Sequence, residues 1–316
     1  MISTIVGALL PIVLTLLLGF VAGWHKDFDG KQAAILNRMV MLYALPLVLF
    51  AGMMSTPRDA IMAQVPLALA ILAAMVVPYV IVLVVARYIC GRDIMTSSLQ
   101  ALAIGGPAVP FIGVSVLGHL FGTASAIPIS VASLVMNLIQ VPATLMLLSA
   151  GMGANKAAAG VGGSSPTLAD HIINALKEPV VWAPLLALIF VLVGVKPVGS
   201  IQDSLVLLGK STGGVALFAS GIVLYSRRVA VSLPMGISVL ARNIIVPAAT
   251  WGLLLVADFP PEIMREVVIT IAIPTASISV ILAVQYQTAE QEMASTLFFS
   301  TILSLVTMGG FIWLTA

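Results

Sequence analysis

The chain returns again and again to stretches of about twenty apolar residues, each closed by a short connector that carries charge, glycine or proline. A helix of that length crosses the hydrocarbon core of a bilayer. Membrane barrels alternate apolar and polar residues one by one, whereas these runs are continuous, so the spans are predicted to be helical. Composition agrees: 60% of the residues are hydrophobic and 8% are charged, and the mean hydropathy is +1.16. Soluble domains carry about 25% charged residues. A net charge of +2, spread thinly, offers no surface for a nucleic-acid partner.

Spans are predicted at roughly 2–24, 31–54, 64–90, 96–118, 123–150, 178–196, 200–225, 231–257, 262–284 and 290–315. The first run lacks a basic leader and a cleavage site, so it is expected to be retained as a span. The Gly-, Ala- and Ser-rich segment 151–177 reads as a flexible connector between a first five-helix unit, 1–150, and a second, 178–316. Lysine and arginine favour one side. Lys26, Lys31, Arg38, Arg87, Arg92, Lys156, Lys177, Arg227 and Arg228 fall at one set of ends, against Arg58, Lys196 and Arg265 at the other. Positively charged loops stay in the cytoplasm. The expected topology therefore has both termini outside and the central connector inside, in a multi-pass protein of the cell inner membrane.

A duplicated unit with an odd number of helices must insert upside down, which is the logic of inverted-repeat transporters. Pro11 and Pro184, Pro78 and Pro247, and Pro107 and Pro274 lie at offsets of 173, 169 and 167 residues in corresponding spans. The fourth span contains Gly105-Gly106-Pro107-Ala108, and the ninth contains Pro274-Thr275-Ala276-Ser277. Proline removes an amide donor and clashes with the preceding turn, so both helices are predicted to break inside the membrane. Backbone opened at that depth must face protein or a watery cavity. Matching broken helices point to a transporter site, because the half-helix N-termini present N–H groups and positive dipole ends to an anion.

The fifth span sets Ser133, Asn137, Gln140 and Thr144 on one helical face, where they could read a carboxylate or join helices to one another. Arg242 and Asn243 lie inside the eighth span. An intramembrane arginine is a functional hypothesis by default; backbone carbonyls or snorkelling would satisfy it equally well. All twelve acidic residues fall in connectors or near span ends, so no carboxylate relay for protons is visible. Cys90 is alone, which excludes an intramolecular disulfide. No catalytic triad, metal cluster or phosphate loop stands out, so neither an enzyme nor a cofactor is implied.

Pro11-Ile-Val with Leu18-Gly19-Phe20, Leu36-Asn37 with Ala44-Leu45-Pro46, and Glu178-Pro179-Val-Val-Trp182-Ala-Pro184 resemble the auxin efflux carrier family, and within it the bacterial malonate carriers. The resemblance covers nearly the whole chain. It implies an all-α integral membrane protein of about ten helices in two inverted five-helix repeats, with helices 4 and 9 crossing at their proline breaks. It also implies a substrate site beside that crossing, with Pro107 and Pro274 as the crossover prolines, Gln140 as the polar position of helix 5 and Arg242 as the basic one. Ala108 stands where many relatives carry asparagine. The expected site therefore comprises Gly106, Pro107, Ala108, Asn137, Gln140, Arg242, Pro274, Thr275 and Ser277, with no metal. The expected cargo is a malonate-like anion moved by alternating access. An auxin-like aromatic carboxylate exporter and a non-transporting sensor or scaffold are the alternatives. Na+ or H+ as coupling ion and a homodimer are left open.

Overall fold

The computed structural model describes residues 2–54, 58, 64–158, 177, 179–195, 199–226 and 230–316. Most of the expected connector, 159–176, lies outside these residues, as do Lys196, Arg227 and Arg228. Among the described residues there are helices and no strand. The first half comprises α1 (Ile2–Trp24), α2 (Gly30–Met39), α3 (Leu45–Met54), α4 (Val65–Val84), α5 (Ile94–Gly105), α6 (Val114–Phe121), α7 (Ala126–Val135) and α8 (Val141–Ala158). The second comprises α9 (Pro179–Val193), α10 (Gly199–Gly209), α11 (Ser211–Ser226), α12 (Leu233–Leu240), α13 (Val246–Val256), α14 (Pro261–Ala272), α15 (Ile278–Gln285) and α16 (Glu290–Leu314).

Several of these helices join end to end through single π turns. The turns Val40–Ala44, Met136–Gln140 and Ala241–Ile245 each end two residues before a proline, namely Pro46, Pro142 and Pro247. A proline ring collides with the carbonyl four residues back. One widened turn moves that carbonyl aside without ending the helix. Asp29 starts α2 with a capping box closed by Gln32, and Asp93 caps α5 by accepting from the Thr96 amide.

Among the described residues, six helical stretches are long and apolar enough to cross a membrane: Gly30–Ala51, Val65–Ile89, Val114–Met152, Ile201–Val223, Leu233–Val256 and Glu290–Leu314. The third has 39 residues, about 58 Å of helix and twice a hydrocarbon core. It is divided at Gly122, whose φ of 58° suits a residue without a side chain. Shorter apolar helices are Leu14–Trp24, Ile94–Gly105 and Val181–Val193. Val256, Tyr88 and Leu207 are 88%, 80% and 76% exposed, whereas Ser97, Ser98, Thr212, Ser238, Thr270 and Ser295 are fully enclosed. That distribution suits lipid outside and hydrogen-bonded helices inside.

Two groups of helices pack together. In one, α1 lies along α11 and α3 lies against α9 and α10. A Cβ added at Gly19 would overlap the Phe218 carbonyl, and one at Gly221 would overlap that of Leu16. These small residues let two backbones touch where lipid gives no hydrophobic drive. In the other group α4 packs on α5, α7 and α14, and α16 on α12, α14 and α15. Arg92 donates twice to Glu292, at 2.6 Å each, tying the starts of α5 and α16 together. Glu266 lies near the start of its span as expected, in the second turn of α14, with one oxygen enclosed and without a donor among the described residues.

Candidate functional site: the crossing of two broken helices

Gly106 and Ile273 are the residues before Pro107 and Pro274, and both leave the helical region, with ψ of 95° and 135°. The proline ring disfavours helical geometry in its predecessor. The two breaks meet. Ala108 donates its amide to the Pro274 carbonyl at 2.8 Å, and Ala276 donates to the Gly106 carbonyl at 3.1 Å. Pro107 and Thr275 thereby form an antiparallel bridge, the one isolated bridge among the described residues. Close approach demands glycine here. A Cβ at Gly105 would come within 2.9 Å of the Tyr79 Cβ, and one at Gly106 within 2.7 Å of the Leu102 carbonyl.

A helix end leaves four carbonyls without partners, and at the end of α5 all four are satisfied. Leu102 accepts from the Gly106 amide at 2.8 Å. Ala103 accepts from the Thr275 hydroxyl. Ile104 accepts from Arg242 Nη1 at 2.9 Å, and Gly105 from Gln140 Nε2 at 2.9 Å. Gln140 Nε2 also reaches the Met75 carbonyl at 3.0 Å, while its oxygen is enclosed without a donor.

Arg242 also closes the end of α14. Its Nε donates to the Ile273 carbonyl at 3.1 Å, and Nη2 donates to those of Ile271 and Ile273 at 2.5 Å each. The side chain is fully buried. Of the two sequence-level readings of this arginine, the geometry shows the guanidinium on backbone carbonyls. A helix C-terminus carries about half a negative charge, so two of them balance the guanidinium. Among the described residues no carboxylate pairs with it.

The amide side differs. Thr275 N–H is taken by the Ser300 hydroxyl at 3.1 Å, and that hydroxyl donates to Asn243 Oδ1 at 2.6 Å. Asn243 Nδ2 returns to the Ser300 carbonyl at 2.7 Å. Past this pair, the Ser277 and Ile278 amides and the Ser277 hydroxyl have no partner among the described residues. Ser277 is 7% exposed and heads α15.

Of the expected site, the structure gathers Gly106, Pro107, Ala108, Gln140, Arg242, Pro274, Thr275 and Ser277 at the crossing. Asn137 donates to the Ser133 carbonyl of its own helix at 2.8 Å and has no hydrogen bond to either break among the described residues. Ser300 and Asn243 belong there instead. Ser300 and Ser304 are four residues apart on the tenth span, with Thr301 between them, a polar stripe that could have been read as the fifth span's was. Two cavities open elsewhere. One of about 290 Å³ lies between Val48, Gly118, Ser125 and Val206, and one of about 450 Å³ between Tyr43, Phe50, Trp182 and Leu205. Neither includes a residue of the crossing.

Residues 4–312 match the membrane transport protein family. The uncharacterized transporter YfdV of Escherichia coli K12 is 29% identical over 309 residues, 97% of this chain and 96% of the relative. A putative malonate transporter of Rhizobium meliloti is 21% identical over 315 residues, 99% of this chain and 96% of the relative. The apolar helices, the polar interior and a match across almost its entire length lead to one conclusion: this chain belongs to the membrane transport protein family, the auxin efflux carriers that its sequence resembles, and it is a membrane transporter.

Proposed function

We propose that the chain moves small organic anions, malonate-like mono- or dicarboxylates, by alternating access around the crossing. The observation that carries this reading is the imbalance of hydrogen bonding there. Every terminal carbonyl of α5 has a donor, whereas the Ser277 and Ile278 amides at the head of α15 have no acceptor among the described residues. With Arg242 offsetting the two negative helix ends, the positive amide end is left facing outward from the pairing. A carboxylate supplies acceptors and negative charge together.

This reading extends to ten helices in two inverted five-helix repeats, supported by two breaks at corresponding points that hydrogen-bond to each other. It places both termini outside and the central connector in the cytoplasm. Reporters fused after Gly160 and after Ala316 test that placement, with a cytoplasmic and an external signal expected respectively. Coupling is assigned to membrane potential or a cation in preference to a carboxylate-relayed proton.

Uptake of labelled malonate, malate and indole-acetate into proteoliposomes, with and without imposed ion gradients, tests the function. Malonate or malate accumulation that saturates and responds to potential is expected. Uptake of indole-acetate alone would move the cargo to aromatic carboxylates, and no uptake of any of the three would remove the small-carboxylate reading. A pH-gradient-driven uptake lost in Glu266→Gln would replace the proposed coupling with a proton relay.

A further inference from the structure

We infer that the carbonyl cradle at the crossing is a monovalent-cation site which the chain fills with its own guanidinium. Three carbonyl oxygens, those of Ile104, Ile271 and Ile273, converge from the ends of two different helices. Each end carries negative dipole charge, and among the described residues no backbone amide donates to these three oxygens. Oxygens so arranged, without a donor of their own, call for a cation. Arg242 meets the demand from α12's π turn, Ala241–Ile245, with four hydrogen bonds and no solvent exposure.

The tether has a mechanical consequence. The backbone bridge joins the two breaks directly, but a free cation could leave the cradle and strip three carbonyls of their partner. A guanidinium on the chain cannot leave, so these helix ends stay neutralised without a bound ion. Arg242 is thus a positioning residue; substrate contact falls to groups on the amide side. The inference holds whichever anion is carried.

Arg242→Ala should empty the cradle and make it accept a small planar cation. The expected result is a thermal midpoint in detergent that rises saturably, by several degrees, as methylguanidinium is added to about 10 mM, far below denaturing concentrations. The wild type, whose cradle is full, should show no such rise, and sodium at equal ionic strength should do less than methylguanidinium. Equal responses of variant and wild type would overturn the inference. Should the alanine variant not be recovered, Arg242→Lys and Arg242→Met decide. The lysine ammonium offers three donors, so its midpoint should stand well above that of methionine, which offers none. Equal midpoints for the two would show that the cradle needs no cation. These readouts require no substrate, so their failure is separate from failure of the malonate reading.

Discussion

In the first broken helix, α5 begins on a side-chain cap from Asp93 and ends with each of its last four carbonyls bonded, three of them to side chains from other helices. In the second, α14 begins at Pro260-Pro261 with no side-chain cap, and its end is closed by the Arg242 side chain. Beyond that break two amides at the head of α15 remain open among the described residues. The two breaks arise from one proline rule and differ in what surrounds them. One is finished as structure, and the other retains unmet donors. Unmet donors favour whatever ligand can bind to them, which is why we propose the Ser277 side of the crossing, and not the Gln140 side, as the functional one.

The sharpest way to break that comparison is to orphan the finished side. Gln140→Leu removes the donor to both Met75 and Gly105 carbonyls while also removing one enclosed, donorless oxygen. The Met75 carbonyl keeps its place in the ladder of α4, so the Gly105 carbonyl alone is orphaned, at a cost of about 1–3 kcal/mol, of which the lost oxygen returns part. The thermal midpoint in detergent should fall accordingly. Asn137→Leu, three residues earlier, removes only a bond to its own helix and should fall much less. Equal losses would mean that Gln140 has no special place at the break.

The opposite side should respond in function and not in stability. Ser277→Ala removes a hydroxyl that has no partner among the described residues, so folded yield and thermal midpoint should stay as they are. Hydrogen bonds to a charged group contribute about 1.5–3 kcal/mol, and the backbone amides would remain. Malonate affinity, read by calorimetric titration of purified protein, should drop about tenfold at the lower end of that range. A midpoint that falls with no change in affinity would return Ser277 to the structural side.

How far the sequence foretold this contrast depends on which kind of signal was at stake. The prolines and glycines of the two breaks act on their own backbone, so Gly106-Pro107 and Pro274 marked where each helix breaks, while the crossing of the two was implied by the family resemblance. The π turns before Pro46, Pro142 and Pro247 answer to the same proline geometry but were found only in the structure. What Arg242 touches was not legible either, because its acceptors are carbonyls about 29 to 138 residues away and carbonyls carry no residue identity. For that reason two readings of the arginine stood side by side until the fold brought Ile104 and Ile273 to it. The π turn Met136–Gln140 explains Asn137. Spacing of three residues puts Asn137 and Gln140 on one face of a regular helix, but an inserted wide turn rotates one away from the other, and only Gln140 reaches the break.

The smallest expected effect concerns the caps. Burial alone would raise the Asp93 carboxyl, but hydrogen bonds from the Thr96 hydroxyl and amide outweigh it and hold the group below the ordinary carboxylate range. A carboxyl lowered on folding contributes stability that is complete above its unfolded value, near pH 3.9, and is lost as pH falls through the folded value. An N-cap is typically worth about 1 kcal/mol, and this one lies at a partly solvated rim beside the Arg92–Glu292 pair. Asparagine caps about as well as aspartate but does not titrate. Asp93→Asn should therefore match the wild type in thermal midpoint near pH 7 and lose less than it does below about pH 4. Because α14 has no side-chain cap to lose, the acid-sensitive step should belong to the first broken helix alone. An acid profile of Asp93→Asn that overlays the wild type would assign that sensitivity to other carboxylates, Glu292 first among them.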